Sequence, residues 1–121
     1  MIQAGLLAVA QVNQCNYCLS AHTAAAKMLR FSEQDTIELR KGTIDDPKLM
    51  ALTQLLREIT IRRGYPAESY VKQFFHAGYT KAHFAELAPI VALKTISKYF
   101  HHMTEDTGRS SAPEIKEETL T

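Results

Sequence analysis

The stretch Asn13-Gln14-Cys15-Asn16-Tyr17-Cys18-Leu19-Ser20-Ala21-His22 holds both cysteines of the chain in one C-x-x-C, with a histidine four residues later. In regular helix, residues three apart keep their Cβ atoms ~5–6 Å apart. A disulfide needs ~3.5–4.5 Å. Cys15 and Cys18 therefore close a bond only if the first of them lies at a helix start, where the backbone can adjust. The polar break Asn13-Gln14 puts it there. A helix N-terminus also offers unpaired N–H groups and the positive end of the dipole. Both lower a thiol pKa, from ~8.5 to as low as ~3.5–7.5. His22 falls one turn after Cys18 on the same face, where an imidazole takes a proton from a thiol or stabilises a thiolate. A nucleophile, a resolving thiol and a base thus share one short surface, and dithiol–disulfide exchange is the chemistry this favours.

Other chemistries need something more. Inert, buried cysteines require no C-x-x-C spacing. Zinc would take Cys15, Cys18, His22 and a fourth ligand. His76, His83, His101 and His102 are the remaining histidines, and they lack paired ligand spacing. A c-type haem needs histidine directly after the second cysteine, where Leu19 stands. A thioredoxin site needs a preceding strand and a βαβ setting. No cofactor and no metal are expected.

The elements around the site read as helices. Residues 1–12 form an apolar helix with no cap before it, so either it is the bare N-terminus or helices precede it. Residues 16–30 form a second, alanine-rich helix. Ser32 caps a third, with Glu33 and Asp35 in its first turn and Lys41-Gly42 at its end. Asp46-Pro47 starts a fourth, which runs to Arg62-Arg63-Gly64 and carries the apolar stripe Leu49, Leu52, Leu55, Leu56 and Ile59. Pro66 opens a fifth, ended by Gly78. Thr80 caps a long last helix to about Met103. Phe84, Leu87 and Val91 form one apolar face of it, and Ile90, Leu93, Ile96 and Phe100 another, so it should pack between partners. Pro89 inside it should kink it or split off a first turn. No segment alternates as a strand does. The expectation is an all-α fold of about six helices: one domain over 1–104, then a polar, disordered tail over 105–121.

The chain has 121 residues, 45% hydrophobic and 22% charged, with a net charge of +1. That composition suits one globular domain. No strong field draws in nucleic acid or a membrane surface, and no apolar run is long enough to span a bilayer. Lys27 is the first charged residue. The uncharged stretch before it suggests a signal peptide, and Ala8-Val9-Ala10 imitates a cleavage site. However, Met1-Ile2-Gln3-Ala4 supplies no positive n-region. A helix covered on most sides by its own domain or by another subunit is the preferred reading. A working dithiol needs a reducing supply, so the cytoplasm is the expected location.

Val12-Asn13-Gln14-Cys15-Asn16-Tyr17-Cys18-Leu19-Ser20-Ala21-His22-Thr23-Ala24-Ala25 resembles the core motif of the AhpD-like alkylhydroperoxidases, in the carboxymuconolactone decarboxylase superfamily. Arg62-Arg63-Gly64, Ala77-Gly78-Tyr79 and Val91-Ala92-Leu93 leading to Tyr99-Phe100 support it. The resemblance covers residues 1 to about 103. It implies a helical fold that assembles as trimers or hexamers, and reduction of a hydroperoxide by a dithiol. It also implies roles: Cys18 as the peroxidatic nucleophile, Cys15 as the resolving thiol and His22 in a proton relay. The dithiol would be a lipoyl group on a partner protein.

The family commonly has a relay glutamate twelve residues before the first cysteine, and this chain has Gln3 there. A neutral amide orients a water but accepts no proton at neutral pH. Gln3 is therefore a possible relay position in a weakened enzyme. The alternative is a non-catalytic member that acts as a redox sensor or interaction module. Glu58 or Glu86 would be the stand-in carboxylate, although the ordinary reading of each is a solvated or salt-bridged side chain. Arg57, Arg62 and Arg63 end a helix as dipole partners, or attract an acidic lipoyl-bearing protein. His76 and His83 flank Gly78 as expected caps or solvated rings, and His101-His102 suit the end of the last helix.

Overall fold

A computed structural model describes residues 2–104, apart from the side chains of Tyr17, His101 and His102. The expected tail, 105–121, lies outside the described residues. Six helices follow one another: α1 (Ile2–Asn13), α2 (Asn16–Met28), α3 (Glu33–Lys41), α4 (Pro47–Ile61), α5 (Glu68–His76) and α6 (Lys81–Met103). Among the described residues there is no strand.

The uncharged N-terminal stretch becomes the centre of the fold. Every residue of α1 from Ala4 to Asn13 is buried, because α2, α3, α4 and α6 all pack against it. One side of α1 sends Ala4, Leu7 and Ala10 into a cluster with Cys15, Cys18, Leu19, Ala26 and Leu39. Val9, on the other side, joins Leu52, Leu55, Leu56, Phe74, Tyr79 and Leu87. The chain thus covers its own apolar helix, and the lack of charge there gives no ground for a partner subunit. On α6 the core-facing side carries Leu87, while Leu93, Ile96, Tyr99, Phe100 and Met103 are exposed.

The caps follow the sequence closely. Ser32 and Asp35 form a capping box on α3, and Gly42 ends that helix in the left-handed conformation with φ 73°. Asp46 caps α4 with Pro47 at its first turn. Thr80 and His83 bond reciprocally at the start of α6: the Thr80 N–H reaches His83 Nδ1 at 3.0 Å, and the His83 N–H reaches Thr80 Oγ1 at 3.3 Å.

Two boundaries, and the break expected at Pro89, differ from expectation, each for a local reason. α2 stops at Met28 because Arg30 turns left-handed, with φ 72°. The Phe31 N–H then reaches back to the Ala26 carbonyl at 3.1 Å. α5 starts at Glu68, beyond Pro66, because its first turn closes on the Ala67 carbonyl through Tyr70 N–H at 3.1 Å. α6 runs unbroken through Pro89, which removes one N–H from the helical ladder.

Candidate functional site

The turn from α1 into α2 builds the cysteine pair. Gln14 adopts φ 54°. The Gln14 N–H meets the Gln11 carbonyl at 3.1 Å, and the Cys15 N–H meets the Ala10 carbonyl at 3.2 Å. These are the paired bonds of a Schellman end to α1. Cys15 is thus the last residue of that motif and also the N-cap of α2, with φ −89° and ψ 97°. Its extended backbone lets the sulfur swing over the first turn. There Cys15 and Cys18 are joined as a disulfide, with Cα atoms 5.3 Å apart. The Cys18 N–H points at Cys15 Sγ from 3.4 Å. An N-terminal N–H that would otherwise lack a partner is therefore aimed at the Cys15 sulfur, which favours negative charge there once the bond opens. Each cysteine is only 2% exposed.

His22 lies one turn beyond Cys18 on α2, and its ring is held at both nitrogens. Nδ1 lies 2.9 Å from Gln3 Oε1 on α1. Nε2 lies 2.7 Å from Lys94 Nζ on α6. Gln3 Oε1 accepts, so Nδ1 carries the proton; Nε2 then accepts from the lysine ammonium. Three helices meet at this ring. Burial, and then the positive charge of Lys94, lower the His22 pKa from 6.5 to about 4. The ring is neutral at neutral pH. Among the described residues, no hydrogen bond joins it to either sulfur.

Four of the residues expected from sequence thus gather in one place: Cys15, Cys18 and His22 on or beside α2, and Gln3 against His22. The other candidates lie elsewhere. Glu58 pairs with Arg62 at 3.3 Å and accepts from the Ala67 N–H at 3.5 Å. Glu86 is exposed beside a small apolar cavity under α6. Neither carboxylate bonds to His22. His83 is a cap, as above, and His76 is exposed. Among the described residues, no three His, Cys, Asp or Glu side chains gather as a metal site.

Sequence reasoning missed Lys94. It is 8% exposed, and burial lowers its pKa. Among the described residues His22 is its hydrogen-bond partner and no carboxylate pairs with it. A signal was present in the spacing. Leu87, Val91 and Lys94 share one stripe at i, i+4 and i+7, so a lysine occupies a core-facing position on α6.

A groove of about 600 Å³ lies nearby, lined by Asn13, Thr60, Arg63, Thr95, Lys98 and Tyr99 among others. Neither cysteine nor His22 lines it. The described helices include none long and apolar enough to cross a membrane.

The model of the carboxymuconolactone decarboxylase family matches residues 5–60. That stretch holds Cys15, Cys18 and His22, whereas Gln3 and Lys94 lie outside it. The family includes AhpD-like peroxidases as well as decarboxylases. No curated protein matches the chain.

Proposed function

We propose, for a chain that belongs through residues 5–60 to the carboxymuconolactone decarboxylase family, that it is a thiol-dependent hydroperoxide reductase. The observation that carries this reading is the cysteine pair itself. Cys15 is the N-cap of α2 and is bonded to Cys18 in the helix's first turn.

The chemistry closes in three steps. The Cys18 thiolate attacks the distal oxygen of ROOH, the O–O bond breaks, and the leaving RO⁻ takes a proton to become ROH. The resulting Cys18 sulfenic acid condenses with the Cys15 thiol, which forms the disulfide and releases water. An external dithiol then reopens that bond and is itself oxidised to a disulfide. His22 and Lys94 hold the ring and ammonium protons of the site. A reductant must reach sulfurs on residues that are 2% exposed. A slender lipoyl-type arm suits that requirement better than a broad protein surface. The reading includes a homo-oligomer, a trimer or hexamer, in a reducing cytoplasm. The exposed apolar side of α6, Leu93, Ile96 and Phe100 among it, supports the assembly.

One observation favours a second reading. His22 Nδ1 is bonded to the neutral amide of Gln3, which passes no proton onward at neutral pH. A site of this kind suits a redox sensor or interaction module that oxidises once and turns over slowly. Consumption of an alkyl hydroperoxide with dihydrolipoamide as reductant separates the two. Multiple turnovers support the reductase. A single stoichiometric oxidation supports the sensor. No oxidation of the reduced pair by the hydroperoxide overturns both.

A further inference from the structure

Lys94 is the one core-facing ammonium that the fold leaves without a carboxylate among the described residues. A buried charge without a counter-ion costs stability and marks a functional place. It stands 2.7 Å from His22 Nε2. His22 in turn stands one helical turn from Cys18, with Cβ atoms on that spacing ~5–6 Å apart. The charge therefore lies about a ring and a turn from the sulfur that becomes anionic when the disulfide opens. In the disulfide form there is no such anion, and the ammonium faces only the neutral imidazole. In the reduced form a thiolate forms on a residue only 2% exposed while the ammonium's residue is 8% exposed, so water screens both charges little.

The geometry points to Lys94 as the residue that sets the redox poise of the Cys15–Cys18 pair, its positive charge stabilising the reduced, thiolate form across the His22 ring. This rests on the reading that the pair cycles between disulfide and dithiol, but it does not require a hydroperoxide. The step is Cys15–S–S–Cys18 plus a dithiol giving one thiol and one thiolate on the pair, one released proton and the oxidised, cyclic disulfide of the reductant. Two electrons pass from the reductant, and one S–S bond breaks as another forms. A positive charge beside the product thiolate pulls this equilibrium to the right, so the pair is a stronger oxidant than it would be with a neutral residue at position 94. A unit charge acting over roughly 10 Å at an effective dielectric of about 20 changes such an equilibrium by on the order of tenfold.

The groups that face Lys94 are few. His22 enters from α2 and carries Gln3 of α1 on its far side, both uncharged at neutral pH. Lys98 follows one turn later on Lys94's own helix. Lys94 is thus a positioning and charge-bearing residue, and its mark is a potential rather than a loss of folding.

The test is the equilibrium of the whole chain with dihydrolipoamide and lipoamide at pH 7, with the thiol pKa read from thiolate absorbance. Lys94→Met is expected to lower the equilibrium constant for reduction about tenfold, which is ~30 mV for a two-electron couple. It should also raise the thiol pKa. Lys94→Arg, which keeps the charge, should restore most of both. Gln3→Glu supplies the missing counter-charge at the ring without touching Lys94, and should shift both quantities in the same direction as Lys94→Met. An unchanged constant and thiol pKa in Lys94→Met and Gln3→Glu overturns the proposal. So does Lys94→Arg behaving like Lys94→Met. If wild-type protein equilibrates with the dithiol but consumes no hydroperoxide, the reductase reading fails while this test still stands.

Discussion

Lys94 on α6 donates to His22 Nε2 at 2.7 Å, joining residues 72 positions apart in the chain. His22 in turn donates from Nδ1 to Gln3 at 2.9 Å. The ring is therefore clamped between a cation and an amide. This clamp, more than the cysteines, distinguishes the site from a simple pair of thiols at a helix start. It holds the imidazole neutral, in one tautomer, a turn beyond Cys18.

The neutral ring makes stability depend on pH. His22 has a pKa of about 4 in the folded chain against 6.5 unfolded. The unfolded state therefore binds more protons between those values. The stabilisation is complete above pH 6.5 and is lost as pH falls toward 4. The melting temperature should drop across that window. His22→Gln keeps an acceptor for Lys94 but does not titrate, and should flatten the profile. Melting curves from pH 7.5 to 4 check this; an equal slope in both proteins contradicts it.

The Lys94 ammonium should cost the fold stability. Lys94→Met replaces a buried charge with an apolar chain of similar length. The expected gain is about 1 kcal/mol in urea unfolding, since uncompensated buried ions are commonly improved by apolar replacement. A loss of stability would mean that the His22 contact contributes more than burial of the charge costs.

Close packing of α1 on α4 depends on Gly5. A Cβ at that position would lie 2.8 Å from Leu56 Cδ1, and Leu56 is fully buried, so it has little room to move. Gly5→Ala should destabilise the chain by ~1–3 kcal/mol, the usual cost of overpacking. Unfolding by urea reads it directly. Gly5→Ala with Leu56→Val should recover part of the loss, because the second change removes the colliding carbon.

Gln3→Glu tests the relay. A carboxylate bonded to Nδ1 can accept a proton and raises the His22 pKa by placing a negative charge beside it. General acid–base participation is worth ~10²–10⁴-fold. Hydroperoxide turnover should rise at least tenfold, and the histidine titration by NMR should move up from about 4. Unchanged turnover with a shifted titration would show that the relay does not limit the rate.

The helices and most caps were legible because their signals are local. Ser32 and Asp35, Asp46-Pro47, Gly42 and Thr80 each act within a few residues. Cys15, Cys18 and His22 were legible for the same reason, since they lie within two turns of one helix. Gln3 was found only through the family resemblance, and its bond to His22 depends on how α1 lies against α2. Lys94 was not found, because its partner is far away in sequence and the surrounding stripe reads as ordinary core. The ends of α2 and α5 moved because a left-handed arginine and a turn closing on Ala67 are backbone choices that the side chains do not announce. The cover over α1 was legible as a need but not as a source: α2, α3, α4 and α6 of the same chain supply it.

The most direct measurement of the central claim is hydroperoxide consumption by the full chain, with dihydrolipoamide as reductant and Cys18→Ser and Cys15→Ser alongside. The account predicts multiple turnovers in the wild type and at least a 10²-fold loss in Cys18→Ser. It also predicts that Cys15→Ser accumulates a sulfenic acid on Cys18 that a trapping reagent labels. Turnover that persists in Cys18→Ser, or a wild-type chain whose cysteine pair neither oxidises with hydroperoxide nor reduces with the dithiol, would contradict it.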